Sequence, residues 1–221
     1  IYDSAQNKMI KKELPEAPAA GVFDSDMVRM GTGFVQIKDR LKPGDDLMMF
    51  TDGLEEAQRL LRDDDYSILK WTPTEEETAQ LPEYVSAEDG FEEFSLDRMQ
   101  TMINTLKQGG TYRLEKFRNP EGAEELDFDF SECSGTIEEV VMACISVERI
   151  FRLYRTPDTG PDDRIIVDRV IAAFLEKHFS GWSNYFSNQL PATDEDQYLT
   201  FTHLREDIQF DDLTILGISK K

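Results

Sequence analysis

Cysteine is nearly absent: Cys133 and Cys144 are the only two in 221 residues. So few thiols exclude a disulfide framework and a four-ligand zinc site. They make a reducing, cytoplasmic compartment the expectation. Histidine is equally scarce, with His178 and His203 alone. Basic residues are few, 24 Lys and Arg against 45 Asp and Glu, which leaves a formal charge of −21. No basic footprint exists to displace phosphate counterions, so nucleic acid is excluded as a partner class. Contact with an anionic membrane surface is disfavoured for the same reason. No apolar run reaches the ~18 residues of a membrane helix, and no signal-peptide pattern opens the chain. Internal repeats and low-complexity segments are missing too. The chain opens at Ile1, mid-pattern and without methionine. It therefore reads as a fragment, whose parent has room for upstream sensor or membrane segments.

What is present suffices for a core. Hydrophobic residues make up 39% and charged residues 31%, which fits a soluble domain with a heavily solvated surface that would suit cations or basic partners. Leu41 to Ala57 organises the rest. Pro43-Gly44-Asp45 is turn chemistry. Leu47 to Phe50 is a short continuous apolar run, which predicts a strand covered on both faces. Asp52-Gly53 stops it, and Leu54 to Arg62 predicts a helix with Glu55 and Glu56 in its first turn.

Upstream, residues 1 to 18 predict a short strand and a Lys-rich turn at Lys8, Lys11 and Lys12. Gly33 to Leu41 predicts an antiparallel strand, paired through Pro43-Gly44 with Leu47 to Thr51. Downstream, Asp63-Asp64-Asp65 is a charge run, and residues 72 to 93 predict a long loop or loose structure, Asp89-Gly90 included. A helix is predicted near 95–106, with Ser95 as N-cap and Met99, Met102, Ile103 and Leu106 on one face. Gly109-Gly110 ends it. Tyr112, Leu114 and Phe117, then Leu126, Phe128 and Phe130, flank an Asn119-Pro120-Glu121-Gly122 turn and predict a β-hairpin near 111–131.

The capping box Thr136-x-x-Glu139 opens a helix near 136–154, with Cys144 packed on its apolar face. Pro161-Asp162-Asp163 predicts a helix start near 161–178, its acids set against the dipole. His178 lies near that helix's end, where packing or dipole compensation accounts for it. Trp182, Tyr185 and Phe186 read as a satellite core or a partner anchor. Tyr198 to Leu204, which contains His203, and Leu213 to Ile218 predict strands.

Two of these stretches together resemble a family. Leu41-Lys42-Pro43-Gly44-Asp45, the apolar strand, Thr51-Asp52-Gly53 and Leu54-Glu55-Glu56-Ala57 form the first. Phe210-Asp211-Asp212-Leu213-Thr214 opening the last strand is the second. In this order they look like the PPM-type metal-dependent protein Ser/Thr phosphatases, in the SpoIIE-like bacterial branch. Gly21-Val22-Phe23 is similar to a segment of that family as well. Either motif alone is weak, because an Asp-Gly after a strand is most often only a turn.

The resemblance implies an α+β fold: a partial PPM-type β-sandwich of antiparallel strands flanked by helices, with an α-rich insert carrying the hairpin. The core would be residues 1–62 and 197–221, and the insert residues 63–196. It implies Asp52 and Asp211 as metal ligands, with Gly53 and Asp212 supporting and Thr51 and Thr214 shaping the corner. The metals would be Mn²⁺ or Mg²⁺, hard cations that take carboxylates and water. The implied activity is hydrolysis of phosphoserine or phosphothreonine in a phosphoprotein substrate by metal-activated water, in bacterial signal transduction. The family's first acidic motif has no counterpart here, so the fragment by itself is expected to be inactive, or to complete its edge as a homodimer. The alternative is a catalytically silent module of the same fold that binds a regulatory protein through its insert.

Overall fold

The computed structural model describes residues 1–12, 38–119, 122–157, 160, 162–209 and 211–221. The Gly21-Val22-Phe23 segment, residues 33–37 of the expected strand, Pro120-Glu121, Pro161 and Phe210 lie outside the described residues. The chain is α+β with antiparallel sheets. It divides into two compact units, Ile1–Leu47 with Ile218–Lys221, and Met48–Gly217.

In the first unit, β1 (Tyr2–Asp3) and β2 (Lys8–Met9) form a hairpin with Tyr2 opposite Met9, both buried. Asp3 Oδ1 holds the turn by accepting from the backbone N–H of Ala5 at 2.9 Å and Gln6 at 3.1 Å. The Lys42–Asp45 turn closes with Asp45 N–H donating to Lys42 O at 3.0 Å. Gly44 has φ +89 at its third position, which a side chain would disfavour, and proline precedes it. Asp45 is buried, and the backbone N–H groups of Ser4 and Lys42 hold its carboxyl below the usual range. Residues 38–40, the end of the strand expected to pair across this turn, are irregular.

β3 (Asp46–Phe50) follows the turn. Its burial alternates, Met48 at 7% exposure and Met49 at 56%. The expectation of cover on both faces is therefore corrected: an unbroken apolar run does not say which face is packed. The helix expected over Leu54–Arg62 is also absent. One α-turn forms, Glu56 N–H to Asp52 O at 2.9 Å. The chain then extends as β4 (Gln58–Leu60), because Gln58, Arg59 and Leu60 pair with Glu93, Glu92 and Phe91. Leu54, Ala57 and Leu61 are buried all the same.

The expected long loop is structured. α1 (Glu75–Thr78) carries a capping box between Thr74 and Glu77. β5 (Val85–Ser86) and β6 (Phe91–Glu93) complete a three-stranded sheet of order β4-β6-β5. Sheet pairing across distant residues leaves no local period to read. Ser95 caps α2 (Leu96–Lys107), whose Met99, Met102, Ile103 and Leu106 are buried. β7 (Thr111–Asn119) and β8 (Gly122–Asp129) form the expected hairpin.

α3 (Ile137–Arg152) opens at the Thr136–Glu139 capping box. Its second half is buried nearly all round, from Ala143 to Arg152, so it forms the centre of the second unit. β9 (Leu153–Arg155) follows directly. The helix expected from residue 161 starts later. Residues Arg164–Asp168 are β10, with Ile165 and Val167 buried and Ile166 56% exposed, and α4 spans Arg169–His178. Asp168 caps that helix. Asp163, expected as a capping acid, is instead fully buried, bonded to Gly160 N–H and paired with Arg205.

α5 (Trp182–Tyr185) sits in the expected connector. Tyr185 and Phe186 are buried, and Trp182 stacks on Phe186 and meets Phe201 edge-on, so this cluster packs internally. The expected Tyr198–Leu204 strand is two, β11 (Tyr198–Thr202) against β10 and β12 (Leu204–Glu206) against β9. His203, at φ +61, makes the break. β13 (Ile215–Ser219) ends the chain, in a sheet of order β13-β3-β1-β2. No helix among the described residues is long and apolar enough to cross a membrane.

Candidate functional site

The Thr51-Asp52-Gly53 and Asp211-Asp212-Leu213-Thr214 corners meet within the second unit. Thr51 N–H donates to Thr214 O at 3.0 Å. Thr51 Oγ1 donates to Asp212 O at 2.6 Å and accepts from Thr214 N–H at 3.0 Å. The threonine hydroxyl thus clamps the second corner through its backbone, which is why a short β-branched hydroxyl residue suits this position. Gly53 is buried and permits the approach: a Cβ there would lie 2.9 Å from Asp212 O and 3.1 Å from Asp211 O. Only a residue without a side chain lets the two backbones close to this distance.

The corner leaves its acids outside. Asp52, Asp211 and Asp212 are exposed. Asp52 Oδ1 accepts from Gly53 N–H at 3.1 Å, and Asp211 Oδ1 accepts from Asp212 N–H at 2.7 Å. Each carboxylate is oriented by a neighbouring backbone N–H, with a second oxygen left over. Their oxygen chemistry fits Mn²⁺ or Mg²⁺. Among the described residues no group of three or more His, Cys, Asp and Glu side chains gathers around them. Carboxylate oxygens fit such an ion in kind, and two of them could make up only part of a coordination shell.

The thiols and imidazoles play other parts. Burial pushes the Cys144 thiol up to about 12 and that of Cys133 up to about 11, so both stay protonated and poorly nucleophilic near neutrality. His178 is buried, with Nδ1 2.7 Å from Asp129 O, Nε2 3.8 Å from Cys133 Sγ, and its ring against Phe174.

A second constellation escaped the sequence reading. Lys116 is fully buried on the inner face of β7, in line with Tyr112 and Leu114. Its Nζ donates to the carbonyls of Ile150 at 3.1 Å and Leu153 at 2.6 Å, at the C-terminal end of α3. Tyr185 Oη lies 3.4 Å away and donates to Glu124 Oε1 at 2.7 Å. Burial pulls the lysine down to about 7, against the opposing pull of Glu124. Beside it opens a cleft of about 360 Å³, whose lining includes Arg59, Arg62, Arg118 and Arg155. The signal available in the sequence was the period-two register of Tyr112, Leu114 and residue 116, which places a lysine where an apolar side chain belongs.

Comparison of the chain with protein-family models, curated proteins and solved structures returned no match.

Proposed function

We propose that this chain carries the C-terminal metal-binding corner of a PPM-type protein Ser/Thr phosphatase of the SpoIIE-like kind. One observation supports the reading above all: two acidic motifs from opposite parts of the chain are hydrogen-bonded through Thr51, Thr214 and Asp212. Asp52 and Asp211 would contribute carboxylate oxygens, Gly53 the close approach, and Thr51 the clamp. A bound divalent ion would supply charge neutralisation and a water acidified from a pKa of 15.7 towards ~7. The chain's own residues hold and orient the carboxylates and leave one edge of the site open to solvent. In the partial sandwich proposed here, the remaining ligands come from outside the described residues.

The test is manganese-dependent hydrolysis of a chromogenic phosphate ester and of a phosphoserine peptide by the full-length protein. Hydrolysis is expected, with a loss of about a hundredfold or more in Asp52→Asn and Asp211→Asn, the scale at which metal-ligand environments govern activity. Equal hydrolysis in wild type and both variants would sink the assignment of the acidic corner as the metal site, and no hydrolysis in any of them would sink the phosphatase reading in favour of a silent binding module.

A further inference from the structure

The charge of this chain is −21, yet one cleft in it is walled by arginine. Arg59 and Arg62 belong to β4 and its exit, Arg118 to β7 and Arg155 to β9. Four guanidinium groups converge from three strands that are distant in sequence. The cleft's acids are Asp63 and Glu124, so its lining is net positive.

Two of the four arginines are already compensated. Arg59 pairs with the buried Glu92, and Arg62 forks onto Asp207 while its guanidinium lies 3.7 Å from the Tyr154 ring centre. The other two are not. Arg118 is exposed and has no hydrogen-bond or ion-pair partner among the described residues. Arg155 is exposed and donates to the neutral amide oxygen of Asn184, with no carboxylate partner among the described residues.

The cleft's acids do not quench them. Asp63 Oδ1 accepts from the backbone N–H groups of Asp65 at 3.0 Å and Ser67 at 2.9 Å. Glu124 accepts the Tyr185 hydroxyl and lies 3.9 Å from Lys116 Nζ. Tyr66 at the rim has φ +64, an uncommon conformation for a bulky side chain.

We infer that this cleft binds a small organic phosphate, with the phosphoryl group held between Arg118 and Arg155. A phosphate monoester carries roughly −1.5 to −2 charges near neutrality, which matches two uncompensated guanidinium groups. Arginine's planar fork suits phosphate oxygens in pairs. At about 360 Å³ the cleft lies within the ~300–1,000 Å³ of small-ligand sites, so it has room for an organic moiety beside the phosphoryl group. The paired Arg59 and Arg62 form a fixed positive wall behind. This inference does not rest on the phosphatase reading: all of these residues are separate from Asp52 and Asp211.

The experiment is calorimetric titration of the full chain, in EDTA, with adenosine monophosphate, inorganic pyrophosphate, inorganic phosphate and a phosphoserine peptide. Saturable binding of adenosine monophosphate or pyrophosphate is expected. Arg118→Gln or Arg155→Gln should each weaken it about tenfold or more, the scale of one lost charge-assisted bond. Both side chains are exposed, so the variants should fold, and matching circular dichroism spectra check that. The Asp52→Asn/Asp211→Asn double variant should bind as wild type does, which separates this site from the acidic corner. Three outcomes would overturn the inference: no saturable binding of any small phosphate, binding that survives the Arg118→Gln/Arg155→Gln double variant, or binding of the phosphopeptide alone.

Discussion

Glu92 and Lys116 are the two charged residues on which the interior of the second unit most depends. Glu92 is fully buried, paired with Arg59 and Arg98, and its Oε1 also accepts Phe117 N–H at 2.9 Å. Burying three charges is costly, but removing only the central one strands two largely buried guanidinium groups. Glu92→Gln is therefore expected to destabilise the fold by about 3–5 kcal/mol, read from urea denaturation midpoints. Lys116 makes a different prediction. Its folded pKa is drawn by burial from 10.5 down to about 7. Between those values the unfolded chain holds the proton and the folded chain does not, so this residue's contribution to stability rises with pH across that window. Below pH 7 both states are protonated and its contribution is flat. The stability of wild type relative to Lys116→Met should climb by up to about 1.4 kcal/mol per pH unit from pH 7 to 10. A flat difference would mean the amine stays charged in the fold.

At the scale of elements, the meeting of the two acidic corners depends on Gly53. A methyl group there must push the Asp212 carbonyl from 2.9 Å, and that carbonyl is backbone, held by Thr51. Gly53→Ala is expected to cost about 1–3 kcal/mol, the range of overpacking strain. If the corner holds manganese as proposed, Gly53→Ala should also weaken that binding, although no carboxylate is altered. Thermal melts with and without manganese check both effects. How well each element could be read beforehand followed its dependence on near neighbours. The Ser95 cap of α2, the capping box of α3, the apolar faces of both helices and the alternation of the β7–β8 hairpin are local, and they were legible. The stretch after Asp52 has helical spacing at Leu54, Ala57 and Leu61, yet it turns once and becomes β4 because β6 pairs with it. Arg164–Asp168 has the period of a strand, Ile165 and Val167 inward, but the apolar run into α4 masked it. His203 divides one expected strand between two partners, which no strand propensity records.

For the whole molecule, charge is the dominant physical fact. At −21 the folded chain repels itself, and screening relieves that repulsion. Raising ionic strength from about 0.01 M to about 0.15 M shortens the Debye length from roughly 30 Å to 8 Å. The melting temperature should rise over that range. A fall would mean that exposed pairs such as Arg113–Glu125 and Lys177–Glu132 outweigh the net repulsion. The same screening should weaken phosphate binding at the arginine cleft, so salt would move the two measurements in opposite directions.

Composition and motif order alone limited this protein to a cysteine-poor acidic chain, with a strong case for an α+β core and two acidic corners worth joining. Those properties are sums or short-range patterns, and a sequence carries them directly. Whether the corners touch was decided only in three dimensions, by a threonine hydroxyl and a missing side chain at position 53. The arginine cleft was decided there too: Arg118 and Arg155 stand in separate strands, and only the packing of β7 and β9 turns two ordinary surface cations into a shared positive wall. Through-space electrostatics depends on distances, and a sequence does not state distances between residues far apart along the chain.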